Sequence, residues 1–169
     1  TETEAAEYLE SLRKEQEGYL CPSFPTISAY GANAAMCHYH AAKGAESEIE
    51  ARGLYLVDSG GQYYEGTTDV TRTIALGELT HEEKLHYTLV LMGMLRLSDA
   101  KFLYGCRGIN LDYLARGPLW KLGLDFNHGT GHGVGFLSNV HERPNGFRWR
   151  IVPERQDSCI LEEGMVTSN

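Results

Sequence analysis

The stretch "HGTGHGVG", residues 128–135, sets two imidazoles four positions apart among four glycines. Histidine is the side chain most used for metal binding and for proton transfer near neutral pH. Glycine lets other groups approach the backbone closely and admits turns that other residues resist. The pattern points to a crowded site around His128 and His132. Two acids fit beside them: Asp58 ends the apolar run "LYLVD", and Asp69 lies in the β-rich run "TTDVTRT". Strand ends separated by a turn can bring two carboxylates to one point. Side by side at ~4 Å, with an effective dielectric of ~20, they repel by roughly 4 kcal/mol, and a divalent cation removes that cost. Hard oxygen ligands with an imidazole suit manganese, cobalt or zinc. His141 and His38 add two further histidines in strand and loop contexts near glycine. Read alone, the same residues also fit a plainer picture, in which aspartates cap turns and histidines bond to backbone.

Other chemistries find little support. The chain has no GxxxxGK[ST] and no GxGxxG, because Gly131, His132 and Gly133 are followed by Val134, Gly135 and Phe136. No GxSxG supplies a serine nucleophile. "HEEKLH" at 81–86 resembles HExxH, but five residues separate its histidines by roughly 140° around a helix, so they cannot share a metal from one face. Cys21, Cys37, Cys106 and Cys159 form no CxxC pair and read as ordinary thiols in a reducing compartment, the cytoplasm. A net charge of −8 with no lysine or arginine run argues against nucleic acid as a partner. The longest apolar stretch, "TLVLMGMLRL", meets Arg96 far short of a membrane span.

These residues need elements to hold them. "TETEAAEYLESLRKEQEG" reads as a helix with a Thr1–Glu4 capping box, a stripe of Ala5, Tyr8, Leu9 and Leu12, and Gly18 beyond it. "SFPTISAY" alternates like a strand, and Pro22 and Pro25 place it at an edge or an entry. Residues 31–50 read as a loop. Residues 52–76 read as antiparallel strands, broken at "SGG" and "EGTT", that carry Asp58 and Asp69. A second capping box, Thr80 to Glu83, opens a helix over 80–104. A further helix over 110–122 takes Asn110 as its N-cap, and Pro118 inside it predicts a kink or two short helices. Residues 124–169 read as strands and glycine-rich turns. The sum is one α+β domain with a mainly antiparallel sheet.

"LVDSGGQYYEGTTDVTRT", followed by "HGTGHGVG" and "NVHE", resembles the catalytic domain of the aminopeptidase P (Xaa-Pro aminopeptidase) family. That family belongs to the pita-bread metallopeptidases, with methionine aminopeptidase, prolidase and creatinase. "SFPTISAYGANAAMCHY" and "EEGMVTSN" extend the resemblance along the whole chain. It implies a curved antiparallel sheet with helices on its outer face, C-terminally incomplete, with residues 1–169 forming a partial catalytic domain. By the same resemblance Asp58 ligates one metal, Asp69 bridges two, and His132 ligates the other. His128, His141 and His38 stand on the substrate side. A manganese pair is implied for the intact parent, with cobalt or zinc as substitutes. Two glutamate ligands of the family, the first in a TxEPG-like segment expected directly after "MVTSN", are absent from these 169 residues. An absent or weak metal pair and an inactive fragment are therefore expected. The implied substrates are peptides with proline second. Without the final strands sheet edges are left unpaired, so a homodimer or a swapped contact through the strand near 160–168 is expected. A prolidase-type dipeptidase, a creatinase-like hydrolase and a non-catalytic peptide-binding or chaperone module of the same fold are the alternatives.

Overall fold

The structure, a computed structural model, describes residues 1–137, 139–156 and 158–169. The chain divides into two compact units, one of residues 1–83 with 136–140 and one of residues 84–135 with 141–169.

The first unit opens with helix α1 (Glu2–Lys14). Its start is the expected reciprocal cap: Glu4 N donates to Thr1 Oγ1, and the Thr1 amino group donates to the Glu4 carboxylate. The apolar stripe is not what the unit buries. Tyr8 is 67% exposed and Leu12 40%, whereas Glu2 is wholly enclosed. A strand not expected from the sequence, β1 (Tyr19–Pro22), precedes "SFPTISAY", and only the second half of that stretch is extended, as β2 (Ile27–Tyr30); each strand lies at the edge of its sheet, in keeping with the prolines. A short 3-10 turn, Gly31–Ala35, follows β2.

Residues 54–75 form a single long hairpin in four pieces: β3 (Leu54–Ser59), β4 (Gly61–Tyr63), β5 (Gly66–Thr67) and β6 (Val70–Ala75). One register runs through both arms, from Leu54 opposite Ala75, through Ser59 opposite Val70, to Tyr63 opposite Gly66. Between them Thr68 N donates to Gly61 O at 2.9 Å, so the break in the strands does not shift the pairing. The break exists because the arms close up there. A Cβ on Gly60 would lie 1.9 Å from the Thr68 carbonyl oxygen, so only glycine fits. β2 pairs with the outer side of β3, and Ile27, Ala29 and Tyr55 form the buried apolar centre.

The second unit carries most of α2 (His81–Ser98), α3 (Gly108–Trp120), β7 (Gly131–Val134) and β8 (His141–Phe147). The Thr80–Glu83 cap is formed as expected. α2 stops at Ser98 rather than 104, and near this end Asn169 Nδ2 donates to the Met94 carbonyl and to Ser98 Oγ, each at 2.9 Å. α3 begins two residues earlier than expected. Asn110 is not the N-cap but its reciprocal partner, with Oδ1 accepting from Arg107 N. Pro118 neither splits nor ends the helix. It stands in the last turn, where one missing N–H costs a single bond, and it follows Gly117, which has no Cβ to meet the proline ring. Leu97, Leu111, Ala115 and Phe147 make the core of this unit, with Leu114 and Leu161 against it.

Candidate metal and substrate site

Three of the six candidate residues, Asp58, Asp69 and His38, lie in the first unit, and the other three lie in the second. In the hairpin Asp58 stands opposite Thr71. The continuous register puts Asp69 opposite Gly60, midway between the Ser59–Val70 and Gly61–Thr68 pairs. Asp58 and Asp69 are therefore diagonal neighbours with the same side-chain parity, and such neighbours lie about 7–8 Å apart between Cα atoms. One oxygen of Asp58, Oδ1, is closed off from solvent. The turn beside Asp69 is fastened from both sides: Ser23 Oγ donates to Thr68 O at 2.7 Å, and Gly61 N donates to Thr68 Oγ1 at 2.9 Å. Farther along, Thr67 Oγ1 donates to Gln62 Oε1, which also accepts from Leu137 N.

His38 follows the 3-10 turn, in a loop organised by Glu2. That carboxylate accepts from Tyr30 N at 2.6 Å, Asn33 Nδ2 at 3.0 Å, Tyr39 OH at 2.8 Å and Ser47 N at 2.9 Å. Burial alone would raise the Glu2 carboxyl pKa. The four donors outweigh burial and bring it below the ordinary value.

In the second unit His132 and His141 face each other across β7 and β8, with ring centroids 4.0 Å apart and planes at 62°. The segment 166–168 runs along the other side of β7. Val134 N donates to Val166 O, Ser168 N to His132 O at 2.8 Å, and His132 N to Ser168 Oγ at 3.1 Å. A Cβ on Gly131 would lie 2.1 Å from Ser168 O, so a glycine of the histidine motif is what lets this segment in. His128 sits apart, exposed, with its ring over Phe126 at 4.8 Å.

Both motif histidines share one local device. Nδ1 of His128 is 2.8 Å from Gly129 O, and Nδ1 of His132 is 2.9 Å from Gly133 O. A carbonyl can only accept, so each Nδ1 carries the proton and the lone pair of the neutral ring is on Nε2. Fixing one ring nitrogen to a carbonyl in this way is how ligating and proton-shuttling histidines are oriented.

Residues that the sequence reading passed over hold this loop. Arg116 of α3, 1% exposed in its side chain, pairs with the fully buried Asp112 and with Asp125, each at 2.7 Å. Its Nη1 also donates to Phe126 O, its Nη2 donates to His128 O, and its guanidinium lies 3.8 Å from the Phe126 ring centre. Asp112 Oδ1 accepts from Thr130 Oγ1 at 2.6 Å. Burial would raise the Asp125 carboxyl, but Arg116 and the Phe126 N–H bring it below the ordinary range. The i, i+4 spacing of Asp112 and Arg116 on a helix was the available signal.

In the first unit, two carboxylates of equal parity on one hairpin are donors of the kind a hard divalent cation takes. Among the described residues, no three histidine, cysteine, aspartate or glutamate side chains are gathered closely enough to hold a metal ion.

Known proteins share this sequence and fold. The chain matches the model of metallopeptidase family M24 over residues 1–169. It is 53% identical over 168 residues to the probable Xaa-Pro aminopeptidase P of Metarhizium acridum, covering 99% of this chain and 27% of that protein. It is 54% identical over 150 residues to the probable Xaa-Pro aminopeptidase P of Verticillium alfalfae, covering 89% and 24% respectively. The chain thus spans about a quarter of the length of these curated relatives. Among solved structures, the X-prolyl aminopeptidase of Caenorhabditis elegans, described as a cytosolic enzyme with a di-nuclear active site, superimposes with a TM-score of 0.89 at 45% identity, over 99% of this chain and 26% of that one. The prolidase of Pyrococcus furiosus gives a TM-score of 0.83 at 33% identity, over 98% and 46%. The α+β architecture is that of the pita-bread peptidases, and the chain belongs to metallopeptidase family M24.

Proposed function

We propose that these residues are part of a dinuclear-metal aminopeptidase that releases the first residue of peptides with proline second. The observation that carries this reading is the continuous hairpin register, which gives Asp58 and Asp69 one side-chain parity around a turn only glycine can make. The names of the relatives at 53% and 54% identity support the substrate class. In this reading Asp58, Asp69 and His132 would hold the metals, His132 through Nε2, since its Nδ1 bonds to Gly133 O. A bound pair of divalent cations, manganese by preference, supplies the Lewis acidity that polarises a peptide carbonyl and acidifies water. His128 and His141 orient the peptide and hold a proton near it, and His38 lines the substrate side. The cytoplasm is the proposed place of action, in keeping with four free cysteines. No described helix is long and apolar enough to cross a membrane. A homodimer is the proposed assembly, tested by light scattering.

The 169-residue polypeptide taken alone supplies only Asp58, Asp69 and His132 toward two metals, so weak manganese binding and no turnover are proposed for it. Titration calorimetry tests this, and two tight manganese sites would overturn it. Carried in a polypeptide of the relatives' length, the sequence is expected to cleave Xaa-Pro peptides when manganese is added. There His132→Ala loses metal and activity together, whereas His128→Ala loses turnover and keeps metal. Cleavage confined to free dipeptides would replace the aminopeptidase reading with the prolidase one.

A further inference from the structure

We infer that the buried Asp112–Arg116 pair of α3 is a positioning device for the histidine loop, setting the orientation of His128 through main-chain carbonyls and Thr130 rather than merely supporting the fold. This rests on the functional reading above in treating the histidines as working residues. Its physical argument comes from the second unit alone. Among the described residues Arg116, Glu2 and Asp112 are the largest fully buried side chains, ahead of any apolar residue. A buried ion pair is a poor source of stability, since well-packed apolar residues of the same volume often do as well. What such a pair supplies is direction. Four donated bonds leave Arg116: one to Asp112, one to Asp125, and one each to the carbonyls of Phe126 and His128. The other oxygen of Asp112 takes the Thr130 hydroxyl. One turn of helix therefore grips the chain at residues 125, 126, 128 and 130. The two motif histidines stand inside and just beyond that grip.

The consequence reaches the ring. His128 Nδ1 bonds to Gly129 O, the carbonyl between the two gripped positions. With His128 O held by Arg116 and Thr130 by Asp112, the intervening peptide cannot rotate, and Gly129 O stays aimed at Nδ1. The grip thus selects the Nδ1–H form of His128. Neutral imidazole in water has no such carbonyl and populates both forms. A rigid first contact held by a hydrogen-bonded support is the arrangement that precise sites require.

The test uses the 169-residue chain without metal and reads ring nitrogen chemical shifts of ¹⁵N-histidine at pH 8, where neutral rings dominate. Three variants are compared: Thr130→Val, which keeps shape and removes the hydroxyl, Thr130→Ser, which restores it, and Arg116→Lys, which keeps charge and loses the fork. Thr130→Val and Arg116→Lys are expected to move His128 from a single Nδ1–H signature to a mixture. Amides at 128–132 should then exchange at least tenfold faster, while those of α3 hold. Thr130→Ser is expected to match the parent chain. An unchanged His128 signature in Thr130→Val would overturn the proposal. So would uniform loss of protection across α3, β7 and β8, which would reveal a support of the fold alone. No catalysis enters these readings, so failure of the peptidase assignment leaves them intact, and their failure leaves that assignment intact.

Discussion

In the first unit the loop that carries His38 is gathered around an anion. In the second, the loop that carries His128 hangs from a cation. Glu2 collects donors: two main-chain N–H groups, an amide and a phenol. Arg116 collects acceptors: two carboxylates and two main-chain carbonyls. Both side chains are fully buried, and both reach main-chain atoms outside their own helices. The two loops are therefore released by different means. A carboxylate can be discharged by acid, and its donors then lose their acceptor. A guanidinium stays charged at any pH a protein survives, so its hold on carbonyls has no pH switch.

The largest expected effect comes from breaking the cationic hub. Arg116→Met leaves Asp112 buried without its partner, which costs about 3–5 kcal/mol. The chain's two tryptophans, Trp120 and Trp149, both lie in the second unit with rings 6.1 Å apart, so urea unfolding followed by their fluorescence reports this unit. Pairing the change with Asp112→Leu should recover much of the lost stability but not the order of the 125–130 loop. If the single variant unfolded at the parent's urea midpoint, the hub would carry neither stability nor position.

Removing the charge of the anionic hub should cost less, about 1–3 kcal/mol, because Glu2→Gln keeps one acceptor oxygen and strands part of the donor set. The expected signature is faster amide exchange at Tyr30 and Ser47 with unchanged tryptophan fluorescence. Exchange that rose equally at Phe126 and His128 would refute the division of labour between the hubs.

Acid should produce a milder version of the same release. The folded Glu2 carboxyl lies below its ordinary value of 4.5, so its contribution is fully present above that value and is lost as pH falls from there through the folded pKa. Cleavage of the 31–47 loop by an acid-active protease should therefore stay flat from pH 7 to about 5 and rise below about 4.5. The Asp125 carboxyl, which accepts from Phe126 N, is also held low and weakens in the same direction, so the second unit is read at His128, whose carbonyl is held by Arg116 and which should show no such onset. A rise that began near pH 6 would point to a histidine instead.

How much of this was legible in the sequence follows from where each partner lies. Asp58 and Asp69 could be placed because a hairpin is local: alternation and one tight turn fix which residues face each other, and the register proved unbroken over residues 54–75. Capping boxes are also local, and both predicted boxes formed. Helix ends were harder. Near the end of α2 the Met94 carbonyl accepts from Asn169, 75 positions away in the chain, and no window around residue 98 contains that contact. The hubs were invisible for the same reason. Glu2 looked like one more acid in an acidic helix, but its partner Ser47 is 45 positions away. Arg116 and Asp112 showed their helical spacing, yet nothing nearby announced that their remaining bonds would reach a loop ending at Thr130.

The smallest expected effect tests the edge of the imidazole hairpin. Segment 166–168 is held to β7 by two kinds of bond. Val134 N and Ser168 N donate to main-chain carbonyls, and only His132 N uses a side chain, Ser168 Oγ at 3.1 Å. Ser168→Ala removes that one acceptor and leaves the main-chain bonds in place, at a cost of about 0.5–1.5 kcal/mol. The His132 amide is half-buried, so water can take up part of the vacated role and the lower end of that range is expected. Exchange at the His132 amide should quicken several-fold while the Ser168 amide, still bonded to His132 O, changes little. Gly131→Ala makes the contrast, because its Cβ would meet the Ser168 carbonyl itself and expel the segment. If Ser168→Ala loosened both amides as much as Gly131→Ala did, the serine hydroxyl rather than the main-chain ladder would be what keeps this strand beside the histidines.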